Sequence, residues 1–335
     1  MHVPDIQEFS LHWPGPQTGS THELVISPRF IYVTGQKMDR VAKLDHQGKL
    51  LDHYIMPAGS GPHGLLLDKE GRLWVSLEFH GKVVRLDDVG RIAQEVDVHI
   101  HVKGASRPIN PAPHGITLDA DGESIWFTGK RTSTIGKIQP GGSVVHFQLE
   151  TLAALPIFLS AGPDGGIWGT ELLGSSILHI LPWGEVQEFP TPTMNSRPIA
   201  VIPDPAGKYM WFTEEAGVKV GRVDMAGNIT EFPVPALQKN DILGSLTFDG
   251  AGNLWVQVYA DCNSREPHGE GYLVRFDRSI HDVAGSDSPG VPYRVFPVPS
   301  GEKSMMHRIK TDGEGNLWYT EMMTDRLGKV SLTGG

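Results

Sequence analysis

GPHGLLLDKEGRLWVS, residues 61–76, is an apolar run, a turn built on Asp68 and Gly71, and a second apolar run carrying Trp74. The layout returns as APHGITLDADGESIWFT (112–128), PIFLSAGPDGGIWGT (156–170), PIAVIPDPAGKYMWFT (198–213), ILGSLTFDGAGNLWVQ (242–257) and MHRIKTDGEGNLWYT (306–320). RFIYVT (29–34) is a weaker copy with Tyr32 in the tryptophan place. A third segment of the type KVVRLD, TIGKIQ, KVGRVD or RLGKVS follows, then a fourth such as VVHFQL, VQEFPTP, ITEFPVP or YRVFPVP. The unit is four short strands joined by tight turns.

From Tyr32 through Trp74, Trp126, Trp168, Trp211 and Trp255 to Trp318 the spacings are 42, 52, 42, 43, 44 and 63 residues. This is seven copies of one unit, with insertions in the second and the sixth. A four-stranded unit of this period buries both faces only against neighbours, so the expected fold is an all-β, seven-bladed β-propeller forming a single domain over 1–335. The last copy stops after LGKVSL (327–332), while DIQEFSL (5–11) matches the fourth-strand pattern. The amino-terminal strand is therefore expected to complete the seventh blade and remove an open sheet edge.

Composition agrees and excludes several functions. The 40 Gly and 25 Pro among 335 residues suit turns, not a helical bundle. With 29 Lys and Arg against 39 Asp and Glu, the net charge of −10 gives no electrostatic support to nucleic-acid or anionic-membrane binding. The expected partner is a small molecule, and the expected state a monomer. Cys262, the one cysteine, cannot form an intrachain disulfide. No signal-like leader or bilayer-length apolar run is recognisable, so a cytoplasmic location is expected.

In a propeller the first strand of each blade lines the central channel. The residue entering that strand reads, in blade order, His22, His63, His114, Ile157, Ile199, Leu243 and His307. Because blade seven adjoins blade one, four histidines fall on consecutive blades and an apolar wall completes the ring. Histidine serves as a general base near neutral pH or, when neutral, as a metal ligand, and both roles stay open at this point. Acidic residues end the tryptophan strands on the same side: Glu171, Glu214 and Glu321, with Glu78 one step later. Glu321 lies in the histidine arc, where it could orient His307 or hold a cation such as magnesium. The tryptophans and Asp-Gly turns are expected to be scaffold. Segment 259–272, carrying Glu266, His268 and Glu270, and segment 99–113 are expected over the channel face, with 278–293 on the opposite face.

WFTEEAGVKVGRVDMAGNITEFPVP (211–235) closely resembles the repeat of the virginiamycin B lyase, or streptogramin lyase, family, and the resemblance extends over nearly the whole chain. It implies a magnesium-assisted carbon–oxygen lyase in which a histidine removes the proton next to a carbonyl and a carboxylate departs. By ring phase it places His307 at the catalytic histidine, Glu321 near the last-blade glutamate, and His22 where the family has a tyrosine. Leu243 and Met305 replace a second histidine and an acidic residue, while His63 and His114 are additional. The resulting expectation is a metal-assisted elimination on an ester or lactone other than the streptogramin. His307, His22 and Glu321 would carry the chemistry, His63, His114, His268 and Leu243 would contact substrate, and Glu321 and His307 would hold Mg2+, with a histidine-bound transition metal as the other possibility. The alternatives are a metal-dependent lactonase, since another propeller family shares the strand–turn–strand unit, or a non-catalytic binding propeller.

Overall fold

The computed structural model describes residues 4–15, 19–263, 269–283 and 290–332. They form seven separate sheets of four antiparallel strands, each sheet following chain order except the last. There Met306–Thr311, Leu317–Glu321 and Arg326–Ser331 are joined by Asp5–Ser10, which pairs with Arg326–Ser331 from Asp5 opposite Ser331 to Ser10 opposite Arg326. The ring is thus a seven-bladed propeller closed by its amino-terminal strand. First strands of neighbouring blades touch all the way round, including Met306–Thr311 against Thr21–Ile26 of blade one. Among the described residues helical structure is limited to short single turns, and no helix is long and apolar enough to cross a membrane.

The repeat encodes the interfaces between blades. Trp74, Trp126, Trp168, Trp211, Trp255 and Trp318 each pack into a cluster completed by residues of the following blade, and Tyr32 packs the same way against blade two. Seven such clusters make a core distributed around the ring. The aspartate opening the inner turn fixes the indole as well. In blade six Asp249 accepts the Ala251 and Asn253 amides through Oδ1 and the Trp255 indole N–H at 2.8 Å through Oδ2. Asp68, Asp119 and Asp312 hold Trp74, Trp126 and Trp318 likewise. One short side chain thereby satisfies turn amides and a buried donor together.

Residues 278–283, at the start of the segment after blade six's third strand, are packed into the scaffold; residues 284–289 of that segment lie outside the described residues. Ile280 is fully buried, and Arg222 donates to the carbonyls of His281 and Val283.

Candidate active site at the channel mouth

Each of the four histidine-bearing strands begins with a β-bulge. Pairing with the second strand slips between Thr21 and Leu24, Pro62 and Leu65, Pro113 and Ile116, and Met306 and Ile309. The unpaired residues start with His22, His63, His114 and His307. A bulge re-aims side chains out of the strand alternation, and here it brings four imidazoles together. Ring centroids lie 5.1 Å apart for His22 and His63, 5.1 Å for His22 and His307, 5.4 Å for His63 and His307, and 3.5 Å for His63 and His114.

The hydroxyl of the W-x-T/S motif holds these backbones in place. Thr320 Oγ1 accepts the Arg308 amide at 2.9 Å and donates to the His22 carbonyl of the next blade at 2.6 Å. Thr34 links the Glu23 amide to the His63 carbonyl, and Ser76 links the Gly64 amide to the His114 carbonyl, in the same way. The tryptophan strand of one blade therefore positions the histidine of its neighbour.

The residue after each histidine is also informative. Glu23 and Arg308 occupy this place in blades one and seven and meet across the ring closure. Arg308 Nε lies 3.0 and 2.9 Å from the two Glu23 oxygens, and Nη2 is 2.5 Å from Oε1. Arg308 Nη1 donates to Ser245 Oγ at 3.0 Å, and the guanidinium lies 4.0 Å from the Phe158 ring centre. Glu23 Oε1 is 3.4 Å from His307 Nδ1. Burial alone would push the Glu23 carboxyl up, but the Arg308 charge and its hydrogen bonds bring it below its ordinary range.

Nearer the opening, Lys130 Nζ pairs with Glu78 Oε1 at 3.1 Å, while Gln36 donates to Glu78 Oε2 at 2.7 Å. Asn110, from the inserted segment 99–113, donates to the carbonyls of Glu78 and Phe79. That insertion thus stands on the histidine face.

Burial, opposed by the Glu23 charge, lowers the His307 pKa to about 3. It also lowers His22, against the raising effect of Ser20, and pushes His63 and His114 well below the ordinary range, with the neighbouring His114 ring adding to the effect on His63 and Lys130 to that on His114. All four imidazoles are neutral at pH 7, the form that accepts protons or binds metal. The His22 Nδ1 lies 2.6 Å from the Ser20 carbonyl and the His114 Nδ1 2.9 Å from the Ile157 carbonyl. A carbonyl only accepts, so both Nδ1 atoms carry the proton and both Nε2 atoms keep a lone pair.

In blade six the bulge falls between Leu243 and Leu246, and the Ser245 amide donates to Gln257 as the Glu23 amide does to Thr34. The position equivalent to the histidines is therefore Gly244. Leu243 does not face the channel but is fully buried in the cluster between blades five and six. The blade's first strand begins early, at Asp241, which shifts the apparent register by one. Glu321, expected as catalyst and metal ligand, is instead committed to its own loop on one oxygen and to the segment entering the His307 strand on the other. Its Oε1 accepts the Met305 amide and its Oε2 the Thr324 amide at 3.0 Å and hydroxyl at 2.5 Å. His268, with Glu266, lies outside the described residues; Glu270 is exposed and tied through its backbone to Gln238.

Donor atoms of Glu23, His63 and His307 lie within 4.8 Å of one another, so this trio could hold a metal ion. The magnesium implied by the family resemblance fits it poorly. Magnesium takes oxygen ligands, whereas imidazole dominates here, and both Glu321 oxygens are already bonded, to the Met305 amide and to Thr324.

The family model for the virginiamycin B lyase family matches residues 83–264. A protein of Nocardia farcinica (strain IFM 10152) named virginiamycin B lyase is 28% identical over 251 residues, 74% of this chain and 78% of that relative. A streptogramin B lyase structure aligns with a TM-score of 0.81 at 21% identity over 98% of both chains. A catalytically inactive histidine-to-alanine virginiamycin B lyase from Staphylococcus aureus with quinupristin aligns with a TM-score of 0.79 at 23% identity, over 99% of this chain and 100% of that one. The two structural matches share the fold described above.

Proposed function

The chain belongs to the virginiamycin B lyase family, and we propose that it is a carbon–oxygen lyase that opens a small β-acyloxy carbonyl compound by elimination at the channel mouth. The observation that carries this reading is the convergence of four neutral imidazoles, from consecutive blades, beside the Glu23 carboxylate. His22 is the proton acceptor, because its Nδ1–H is held by the Ser20 carbonyl and its Nε2 lone pair is left available. This moves the base one blade on from His307, whose Nδ1 makes no hydrogen bond among the described residues and has only the Glu23 carboxylate at 3.4 Å beside it. His307 then positions the substrate.

His22 takes the proton from the carbon next to the carbonyl. The C–H electron pair forms a double bond to the adjacent carbon, and that carbon's bond to oxygen breaks, releasing a carboxylate with both bonding electrons. No water is consumed. Lys130, paired with Glu78 yet acting on all four histidines through its charge, favours the developing enolate and the departing anion. No step is assigned to magnesium, since the donor set does not suit it.

The substrate is proposed to be smaller than a streptogramin, because His22, His63 and His114 are each less than a tenth exposed and admit a narrow acyloxy arm more readily than a macrocycle. In the Staphylococcus aureus relative, the variant described as inactive has lost a histidine, which supports an imidazole as the working group. The His22→Ala variant should turn over an O-acyl-threonine amide about 10²–10⁴-fold more slowly, with an unchanged circular dichroism spectrum and partial rescue by added imidazole. Turnover at the parent rate would overturn the assignment.

A further inference from the structure

A buried histidine normally satisfies both ring nitrogens, because an unpaired polar atom away from water is destabilising. His63 is 1% exposed, and neither nitrogen has a hydrogen-bond partner among the described residues; His307 Nδ1 is in the same position. These orphaned atoms lie where the ligand atoms of Glu23, His63 and His307 approach within 4.8 Å of one another. First-row dications bind nitrogen and oxygen at about 2.0–2.2 Å, and small side-chain rotations would bring donors at this spacing onto one ion.

We propose that Glu23, His63 and His307 bind a borderline transition-metal dication of the zinc and ferrous-iron class. Two imidazoles and one carboxylate match the ligand chemistry of such ions, which imidazole suits and which magnesium does not share. Three protein ligands leave coordination positions open, as in catalytic sites. Arg308 grips both Glu23 oxygens and fixes the carboxylate plane; Oε1 accepts Nε and Nη2, while Oε2 accepts Nε alone and keeps a second lone pair. His114 lies against His63, with ring centres 3.5 Å apart and planes tilted by 31°, and its own Nδ1–H is tied to the Ile157 carbonyl, so the ring behind the ligand is also held. An ion bound here would supply a Lewis acid for a substrate carbonyl, leaving His22 as the proton acceptor. The inference does not rest on the reaction class: a metal-free protein that eliminates would defeat it and spare that reading.

The test uses the full-length protein, stripped with chelator and titrated with Co2+ as a visible probe. One equivalent should produce d–d bands that Zn2+ abolishes and a thousand-fold excess of Mg2+ leaves unchanged, and the ion should raise the thermal midpoint. Glu23→Gln and His63→Ala should each weaken binding by at least tenfold. The chelated wild-type protein keeps the test valid where a variant fails to fold. Absence of bands and of a thermal shift in the wild type, displacement by Mg2+, or unchanged affinity in both folded variants would each overturn the proposal.

Discussion

The Glu23–Arg308 pair closes the ring electrostatically, and its removal gives a quantitative test. Replacing Arg308 by Met deletes the three contacts to Glu23 and the one to Ser245 Oγ, leaving a buried carboxylate beside a neutral His307. Breaking one side of a buried pair destabilises by about 3–5 kcal/mol. Lys310 also acts on Glu23 and offsets part of the loss, which favours the lower half of that range. For 335 residues the unfolding entropy is about 0.7 kcal/mol per kelvin, so the thermal midpoint should fall by about 4–6 °C. The double variant Glu23→Leu/Arg308→Met removes both charges and should lie within about 2 kcal/mol of the parent. Denaturant melts of parent, single and double variants complete the cycle. A single-variant loss below about 1 kcal/mol, or strictly additive effects, would show that the two residues do not act as a unit.

Two further outcomes follow from buried groups outside the cluster. Burial, with the Glu231 charge added, pushes the Glu214 carboxyl up to about 9. It stays protonated when folded and ionises when unfolded, so it stabilises below the unfolded pKa and loses that contribution as pH rises toward 9; Glu214→Gln should flatten the decline by up to about 1.4 kcal/mol per pH unit between pH 5 and 8, and parallel urea-melt profiles would contradict this. At the channel, a Cβ on Gly244 would stand 2.8 Å from Gln257 Oε1 and 3.0 Å from the Met306 carbonyl; Gly244→Ala should lose about 1–3 kcal/mol by overpacking, and a neutral effect in the same melts would count against the assigned register.

The architecture was legible because each blade repeats one physical solution. Asp249 caps its turn and holds Trp255, and the same pair of constraints appears at Asp68, Asp119 and Asp312. The histidine convergence was legible for the same reason, since ring phase makes His22, His63, His114 and His307 neighbours. Leu243 carries the apolar pattern of an inner strand but lies off the channel, because the channel position is defined by a bulge whose start differs in blade six. Glu321 has the residue type of a catalyst, but the Thr324 amide of its own loop and the Met305 amide at the entry to the His307 strand claim its two oxygens. Glu23 was missed within an ordinary strand pattern. Its signal was present in the opposite charges of Glu23 and Arg308 at equivalent places on the two blades that close the ring.

The most direct test of the central claim is the fate of water oxygen. An O-acyl-threonine amide is incubated with the protein in heavy-oxygen water, alongside the His22→Ala variant, and both products are weighed by mass spectrometry. The account predicts an unlabelled carboxylic acid and an ultraviolet-absorbing unsaturated amide, both lost in the variant. A labelled acid with an intact threonine hydroxyl, equal turnover by the variant, or no turnover at all would contradict it.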